Sequence, residues 1–300
     1  MSVSKADIKE FAKSLGMDLC GVAGIDRFAT SPEGSHPHDV LPGAKSAIVI
    51  GVRLLDGVIQ ANFRAFEDGK TQMKGVYGTY GYSIIPNFEL TYACYAVARH
   101  IEVNAGEVAT PCSTGPMTNG AQISLRHAAV AAGLGVFGWM GIVLTPEFGA
   151  RNRFGVILTT LELEPDPMYS GEKLCNPEKC GICTKVCPSG ALGKYEDGNP
   201  KVVEMGGVRS EYCQLDWAKC FIVEERLTKE YGATEDWVTS ENPTLGDVFE
   251  AHHKNPGDEA GLQRISSWHC GRCLSYCPAG NWGKHFKSRG LSDGADKAKI

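Results

Sequence analysis

Two stretches of this sequence repeat one cysteine spacing: Cys180-x2-Cys183-x3-Cys187-Pro188 and, ninety residues later, Cys270-x2-Cys273-x3-Cys277-Pro278. Three thiols in eight residues, with a proline that turns the chain away after the third, is the loop that wraps a four-iron [4Fe-4S] cubane. A cubane takes four thiolates, three from one tight loop and the fourth from elsewhere; where two clusters share a module, a cysteine of each loop crosses to the other cluster. Paired zinc knuckles also use C-x2-C, but they have no need of a third cysteine followed by proline. A chain with both loops is therefore expected to carry two [4Fe-4S] clusters in a domain like the bacterial two-cluster ferredoxins, and to move electrons.

Each loop lacks one ligand. Upstream of the first, the C-x2-C spacing would put a cysteine at Pro177, and Cys175 stands two residues earlier. The second loop can draw on Cys220 or Cys213. The pairing that follows is Cys175, Cys180, Cys183 and Cys277 around one cluster, with Cys187, Cys220, Cys270 and Cys273 around the other, Cys213 remaining the alternative to Cys220. Of the remaining cysteines, Cys20 and Cys94 fall on apolar faces as core thiols, and Cys112 lies in a Pro-Cys-Ser segment.

The rest of the chain has an ordinary globular composition, 43% hydrophobic and 22% charged. Thirty Lys and Arg against 35 Asp and Glu give a net charge of -5, without the basic excess that drives phosphate-backbone binding. There is no apolar run of about 18 residues to span a membrane and no leader-like start, so the protein is expected in the cytoplasm, where thiols stay reduced and serve metals. Ser4 and Asp7 form a capping box ahead of Ile8, Phe11, Ala12 and Leu15 at helical spacing. Residues 18–23, 47–52, 142–144 and 154–161 read as strands, and 87–101 and 121–132 as helices. Pro165-Asp166-Pro167 marks a boundary, giving an α/β domain over 1–168 and a cysteine domain over 169–300 with an insert at 221–267.

Gly133-Leu134-Gly135-Val136-Phe137-Gly138 matches G-x-G-x-x-G, yet it follows a helix and leads into a strand, the reverse of a dinucleotide-binding turn. The longer runs are more telling: Leu125 to Gly138, then Thr145-Pro146-Glu147-Phe148-Gly149-Ala150-Arg151-Asn152-Arg153. With the order of these segments ahead of the cysteine loops, the chain resembles the superfamily of epoxyqueuosine reductases and reductive dehalogenases. Phe11 to Asp18 and Leu41 to Val49 look like that superfamily's opening helix and first strands. The resemblance implies an α+β protein: a nitroreductase-like α/β cobalamin-binding domain, then the double-cluster domain. It also implies base-off cobalamin against Gly133, Leu134, Gly135, Gly138, Gly141, Thr145, Pro146 and Gly149, since bare backbone admits a flat macrocycle closely. Packing within a tight turn is the other role such glycines have.

The sequence departs from both branches. Aligned on Ala132 to Gly135, the epoxyqueuosine reductases' catalytic aspartate falls on Asn119, an amide that cannot donate the proton. The chain also ends soon after the cysteine module, without the extension that grips tRNA. A nucleic-acid partner is thus not expected. In the dehalogenases a tyrosine stands near the corrinoid, and Tyr80 or Tyr82, with Asn119 and Arg153 beside it, would supply such a site, because a nearby cation favours the phenolate. The expectation is a corrinoid-dependent iron-sulfur reductase taking electrons from an external ferredoxin- or flavodoxin-type donor and cleaving a carbon-heteroatom bond in a small molecule. A corrinoid-activating electron-transfer protein and an epoxyqueuosine-reducing enzyme are the other readings. Oligomeric state is not legible in the sequence.

Overall fold

The computed structural model describes residues 3–70, 72–113, 122–233, 235–254 and 269–280. In chain order its elements are α1 (Lys5–Ser14), β1 (Leu19–Gly24), α2 (Pro37–Val40), β2 (Ser46–Arg53), α3 (Asp56–Glu67), α4 (Met73–Tyr77) and α5 (Ile85–Ala105), the last two joined by a π-helical turn at Gly78–Tyr82. Then come β3 (Ala109–Cys112), α6 (Leu125–Ala131), β4 (Val136–Phe137), β5 (Val143–Leu144) and β6 (Asn152–Thr159). The cysteine-rich part adds α7 (Ile182–Lys185), β7 (Pro200–Met205), β8 (Val208–Cys213), α8 (Trp217–Glu224), α9 (Leu245–Lys254) and α10 (Arg272–Ser275).

The main sheet has the order β1-β2-β6-β3 and is antiparallel throughout. Both faces are covered, so its central strands are apolar at nearly every position rather than at alternate ones. Along β2, Ala47 and Val49 face α6, while Ile48, Ile50 and Val52 face α1 and α5. The capping box opens α1 as the sequence predicts, with Asp7 accepting from the Ser4 amide at 2.9 Å and the Ser4 hydroxyl accepting from the Asp7 amide at 3.2 Å. The expected strand at 142–144 does not join the main sheet; β5 pairs with β4 in a small hairpin. The edge strand β3 has no sequence signal, because Ala-Thr-Pro-Cys is too short and carries a proline that only an edge tolerates.

The expected division at residue 168 is crossed by a shared core. Leu54, Ile59, Phe63, Tyr77 and Leu144 from the first part pack with Ile182, Leu192, Leu274, Tyr276 and Cys277 from the second. The β7–β8 hairpin also lays Met205 and Tyr212 into the core under α6. Within the insert, α8 and α9 enclose a small core of their own, with Ala218, Ile222, Leu227, Val238, Val248 and Ala251. Among the described residues no helix is long and apolar enough to cross a membrane.

Candidate active site

The two cysteine loops fold alike. Each starts a short helix immediately after a left-handed glycine, Gly181 at φ +58° and Gly271 at φ +55°, a conformation a side chain would resist. The helices α7 and α10 then lie against each other, and the loops divide their thiols between two cavities. One, of about 30 Å³, is lined by Cys175, Cys180, Cys183 and Cys277. The other, of about 580 Å³, has Cys187, Cys220, Cys270 and Cys273 in its wall. Cys213 lines neither; its Sγ faces the Gly193 carbonyl at 3.7 Å.

Burial pushes these thiols toward their neutral form: Cys183 up to about 12, Cys270 and Cys277 up to about 11, and Cys220 and Cys273 up as well. A buried set of this kind ionises when a cation arrives, so metal loading would release protons. Among the described residues no three His, Cys, Asp or Glu side chains converge on a point suited to a single ion. Around the second loop the Tyr77 hydroxyl, Arg272 Nε and His269 Nε2 are buried without a hydrogen-bond partner. Orphaned buried polar atoms mark a missing partner, and three of them beside Cys270 and Cys273 fit a site for an anionic, sulfur-rich group.

The larger cavity opens between the two halves of the chain. Its apolar wall includes Leu125, Met140, Ile142, Phe154, Leu215 and Trp217, and its polar groups include Tyr82, Gln122, Ser124, Arg126, Arg153 and Glu224. Its volume is in the range of small-molecule and cofactor sites. The Arg153 guanidinium lies 4.7 Å over the Tyr82 ring and donates to Asn87 Oδ1 at 2.9 Å. The Tyr82 ring also meets His269, with centroids 4.4 Å apart, and His269 Nδ1 is 3.1 Å from Glu224 Oε1. The Glu224 carboxylate, followed by burial, pushes the Tyr82 hydroxyl well above the usual phenol range; Arg153 opposes them without prevailing. Tyr82 is therefore held as the phenol, proton in place, with the Arg153 cation beside its ring.

Tyr80 is not part of this site. It is 52% exposed on the π-helical turn and lines neither cavity. The turn's geometry splits the neighbouring tyrosines, Tyr77 inward, Tyr80 to solvent and Tyr82 into the cavity, which identical residue types at close spacing conceal. Asn119 lies outside the described residues.

The glycine turn also departs from expectation. A Cβ at Gly133 would stand 2.0 Å from the Pro167 carbonyl oxygen, one at Gly135 2.0 Å from that of Leu144, and one at Gly138 3.1 Å from the Leu144 side chain. The bare backbone is filled by the chain itself, so these glycines allow segments to pack. Leu134 packs under the sheet, and the Gly141 carbonyl accepts from Arg126 Nη1 at 2.5 Å. None of Gly133, Leu134, Gly135, Gly138, Gly141, Thr145, Pro146 or Gly149 lines the large cavity, although Gly138 touches the small one.

The Thr145–Arg153 segment has a different task. Thr145 and Gly149 exchange backbone hydrogen bonds of 3.0 and 2.8 Å, and Asn152 Nδ2 donates to the Gly149 carbonyl at 2.6 Å, closing a rigid turn. Against it sits the end of the second cysteine loop: a Cβ on Gly149 would lie 1.9 Å from the Ala279 oxygen. Arg151, fully buried, donates to the carbonyls of Cys277 at 3.0 Å and Ala279 at 2.5 Å. Sequence reasoning passed over Arg151, whose burial beside the exposed-looking Arg153 has no periodic signal. It likewise missed Glu224 and His269, which lie in a polar stretch whose geometry only the fold discloses.

No family model matches the sequence. A tetrachloroethene reductive dehalogenase of Desulfitobacterium hafniense is 34% identical over 128 residues, covering 38% of this chain and 21% of the relative. An epoxyqueuosine reductase of Listeria monocytogenes is 37% identical over 81 residues, covering 26% of this chain and 20% of the relative. Over these segments the chain is similar to both enzymes. It is close to neither branch: an epoxyqueuosine reductase of Bacillus subtilis aligns over 75% of the chain and 58% of its own length at 23% identity. Among solved structures, an epoxyqueuosine reductase with an epoxyqueuosine-modified tRNA stem loop matches 93% of this chain and 67% of its own, with a TM-score of 0.56 and 18% identity. A reductive dehalogenase structure described as suggesting a mechanism for B12-dependent dehalogenation matches 92% of this chain and 37% of its own, with a TM-score of 0.50 and 18% identity. The fold of these structures thus extends over nearly the whole chain, while the chain spans about a fifth of the length of the curated relatives named first.

Proposed function

We propose that the protein is a corrinoid-dependent iron-sulfur reductase whose reaction chamber is the 580 Å³ cavity. The observation that carries this reading is the placement of four thiols, Cys187, Cys220, Cys270 and Cys273, in the wall of an apolar cavity that also holds a protonated tyrosine. In this reading Cys175, Cys180, Cys183 and Cys277 hold one [4Fe-4S] cluster and the cavity-wall set holds the other, so electrons entering at the buried set leave at the chamber. The apolar wall suits the face of a corrin ring, and Gln122, Ser124 and Arg126 suit its amide side chains. Bound there, a base-off corrinoid would supply a cobalt centre that takes single electrons and attacks a carbon-heteroatom bond.

The chain's own residues supply the rest. Tyr82 holds a proton at its hydroxyl for the carbon left by the cleaved bond; Arg153, stacked on the ring and anchored to Asn87, fixes the ring's direction. Glu224 keeps that proton on oxygen until charge develops opposite it. Leu215, Ile142 and Trp217 exclude bulk water, which strengthens these interactions. The donor is a soluble ferredoxin- or flavodoxin-type carrier, and the site of action is the cytoplasm.

The relatives support a halogenated organic substrate and an epoxyqueuosine-bearing tRNA equally. Asn119 in place of the catalytic aspartate favours the small molecule. The test is anaerobic oxidation of reduced methyl viologen by the reconstituted protein, offered halogenated phenols or an epoxyqueuosine stem loop in turn. Turnover of the phenols that falls at least about a hundredfold in Tyr82→Phe, the scale of one general acid, supports the reading; turnover of the stem loop alone transfers it to the other branch, and turnover of neither, with clusters and corrinoid loaded, removes it.

A further inference from the structure

The long helix α5 is apolar on both faces, and among the described residues the fold covers only one. Leu90, Ala93, Cys94, Val97 and Ile101 are buried against the sheet. On the opposite side Ile85, Phe88, Tyr92, Tyr95 and Val103 are 45%, 47%, 68%, 59% and 70% exposed. Single exposed apolar side chains are normal, but five on one helix face are not. At 3.6 residues per turn they fall within one stripe, and the steps of three, four and three residues from Ile85 to Tyr95 are the seam spacing of paired helices. A helix apolar all round is one that is enclosed on all sides.

We propose that this outer face is the interface of a twofold homodimer in which α5 packs antiparallel against α5 of a second copy. Charge chooses that partner and that direction. The stripe carries Glu89 toward one end and Arg99 toward the other, and neither forms an ion pair among the described residues. Crossing the helices near residue 94 sets Arg99 beside Glu89 of the partner subunit and Ile85 beside Val103 of the partner subunit, each twice by symmetry. Tyr92 then meets Tyr95 of the partner subunit at the centre. A parallel arrangement instead puts the two Arg99 side chains together, which like charges oppose. The interface is isologous and closes on itself.

The area suffices. Large side chains bury about 150–250 Å² each, so five at these exposures leave roughly 600 Å² per copy. The flanking Glu89, Ala96, Arg99 and Glu102 bring this near the roughly 800 Å² per partner of a stable standard interface. The face lies on the side of the sheet away from the cavity wall formed by residues 122–126, so dimerisation leaves the chamber open to donor and substrate.

Sedimentation equilibrium of the cluster-loaded protein, from about one to about a hundred micromolar, tests this. The expected species has twice the 32.3 kDa chain mass. Glu89→Arg and Arg99→Glu each weaken dimerisation at least tenfold, the double swap Glu89→Arg/Arg99→Glu returns to within about threefold of wild type, and Tyr92→Glu gives monomer. All three positions are exposed, and unchanged circular dichroism confirms that each variant folds. A wild-type monomer across the whole range overturns the proposal. So does a dimer that Tyr92→Glu leaves intact, or single swaps that the double swap does not rescue.

Discussion

Replacing Gly149 by alanine separates the role the structure gives the Thr145–Arg153 segment from a cofactor-cradling one. Two effects oppose the substitution. The backbone at φ +56° is left-handed, which costs an alanine about 1–2 kcal/mol. The new Cβ would also stand 1.9 Å from the Ala279 oxygen and 2.5 Å from its carbonyl carbon, and both are backbone atoms that no rotamer change can move. Overpacking of this sort adds about 1–3 kcal/mol. Gly34 is the control, at φ +76° with nothing within 4 Å of its would-be Cβ, so Gly34→Ala carries the backbone cost alone. The difference, about 1–3 kcal/mol, corresponds to a melting temperature lower by several degrees in Gly149→Ala than in Gly34→Ala. Because the displaced segment runs directly on from Cys277, iron content should fall with it. Circular dichroism melts and iron assays on anaerobically reconstituted protein read both. If Gly149→Ala melts with Gly34→Ala and keeps its iron, the segment does not seat the second cysteine loop, and the packing argument for the glycines fails.

Cys220→Ser should lose the iron held by the cavity-wall set while Cys213→Ser keeps about eight iron atoms per chain, as two four-iron clusters require; iron and sulfide assays with electron paramagnetic resonance distinguish them. Burial and the adjacent Arg126 hold His127 down to about 4, against about 6.5 unfolded. Between those values the unfolded chain binds the extra proton, so this part of the stability is fully present above about pH 6.5 and is lost as pH falls toward 4, by about 3 kcal/mol at most. His127→Phe should flatten that slope in urea melts taken from about pH 4.5 to 7, and an unchanged slope would refute the assignment.

Cysteine spacing announced the paired loops because three of a cubane's ligands come from one tight loop, and the two cavities place Cys187 with the second loop and Cys277 with the first. Strands β1, β2 and β6 were legible as apolar runs, since burial on both faces leaves no polar position to confuse them. The glycines are ambiguous for a physical reason: close approach by a macrocycle and close approach by the chain's own carbonyls demand the same missing Cβ, and sequence alone cannot tell which neighbour arrives. Tyr82 and Tyr80 differ only through the π-helical turn that carries them. Glu224 and His269 are 45 residues apart and meet only because α8 folds back over the second loop.

Whether the large cavity receives a corrinoid decides the proposed function most directly. Reconstituted protein mixed anaerobically with hydroxocobalamin and passed through gel filtration should retain about one cobalt per chain, as a single-site cavity of this size implies, with a base-off cobalt(II) resonance after reduction. Leu215→Trp, which fills the chamber from its partly buried wall, should keep both clusters and lose the cobalt. Wild-type protein that elutes without cobalt, or a filled variant that retains it equally, would contradict the assignment.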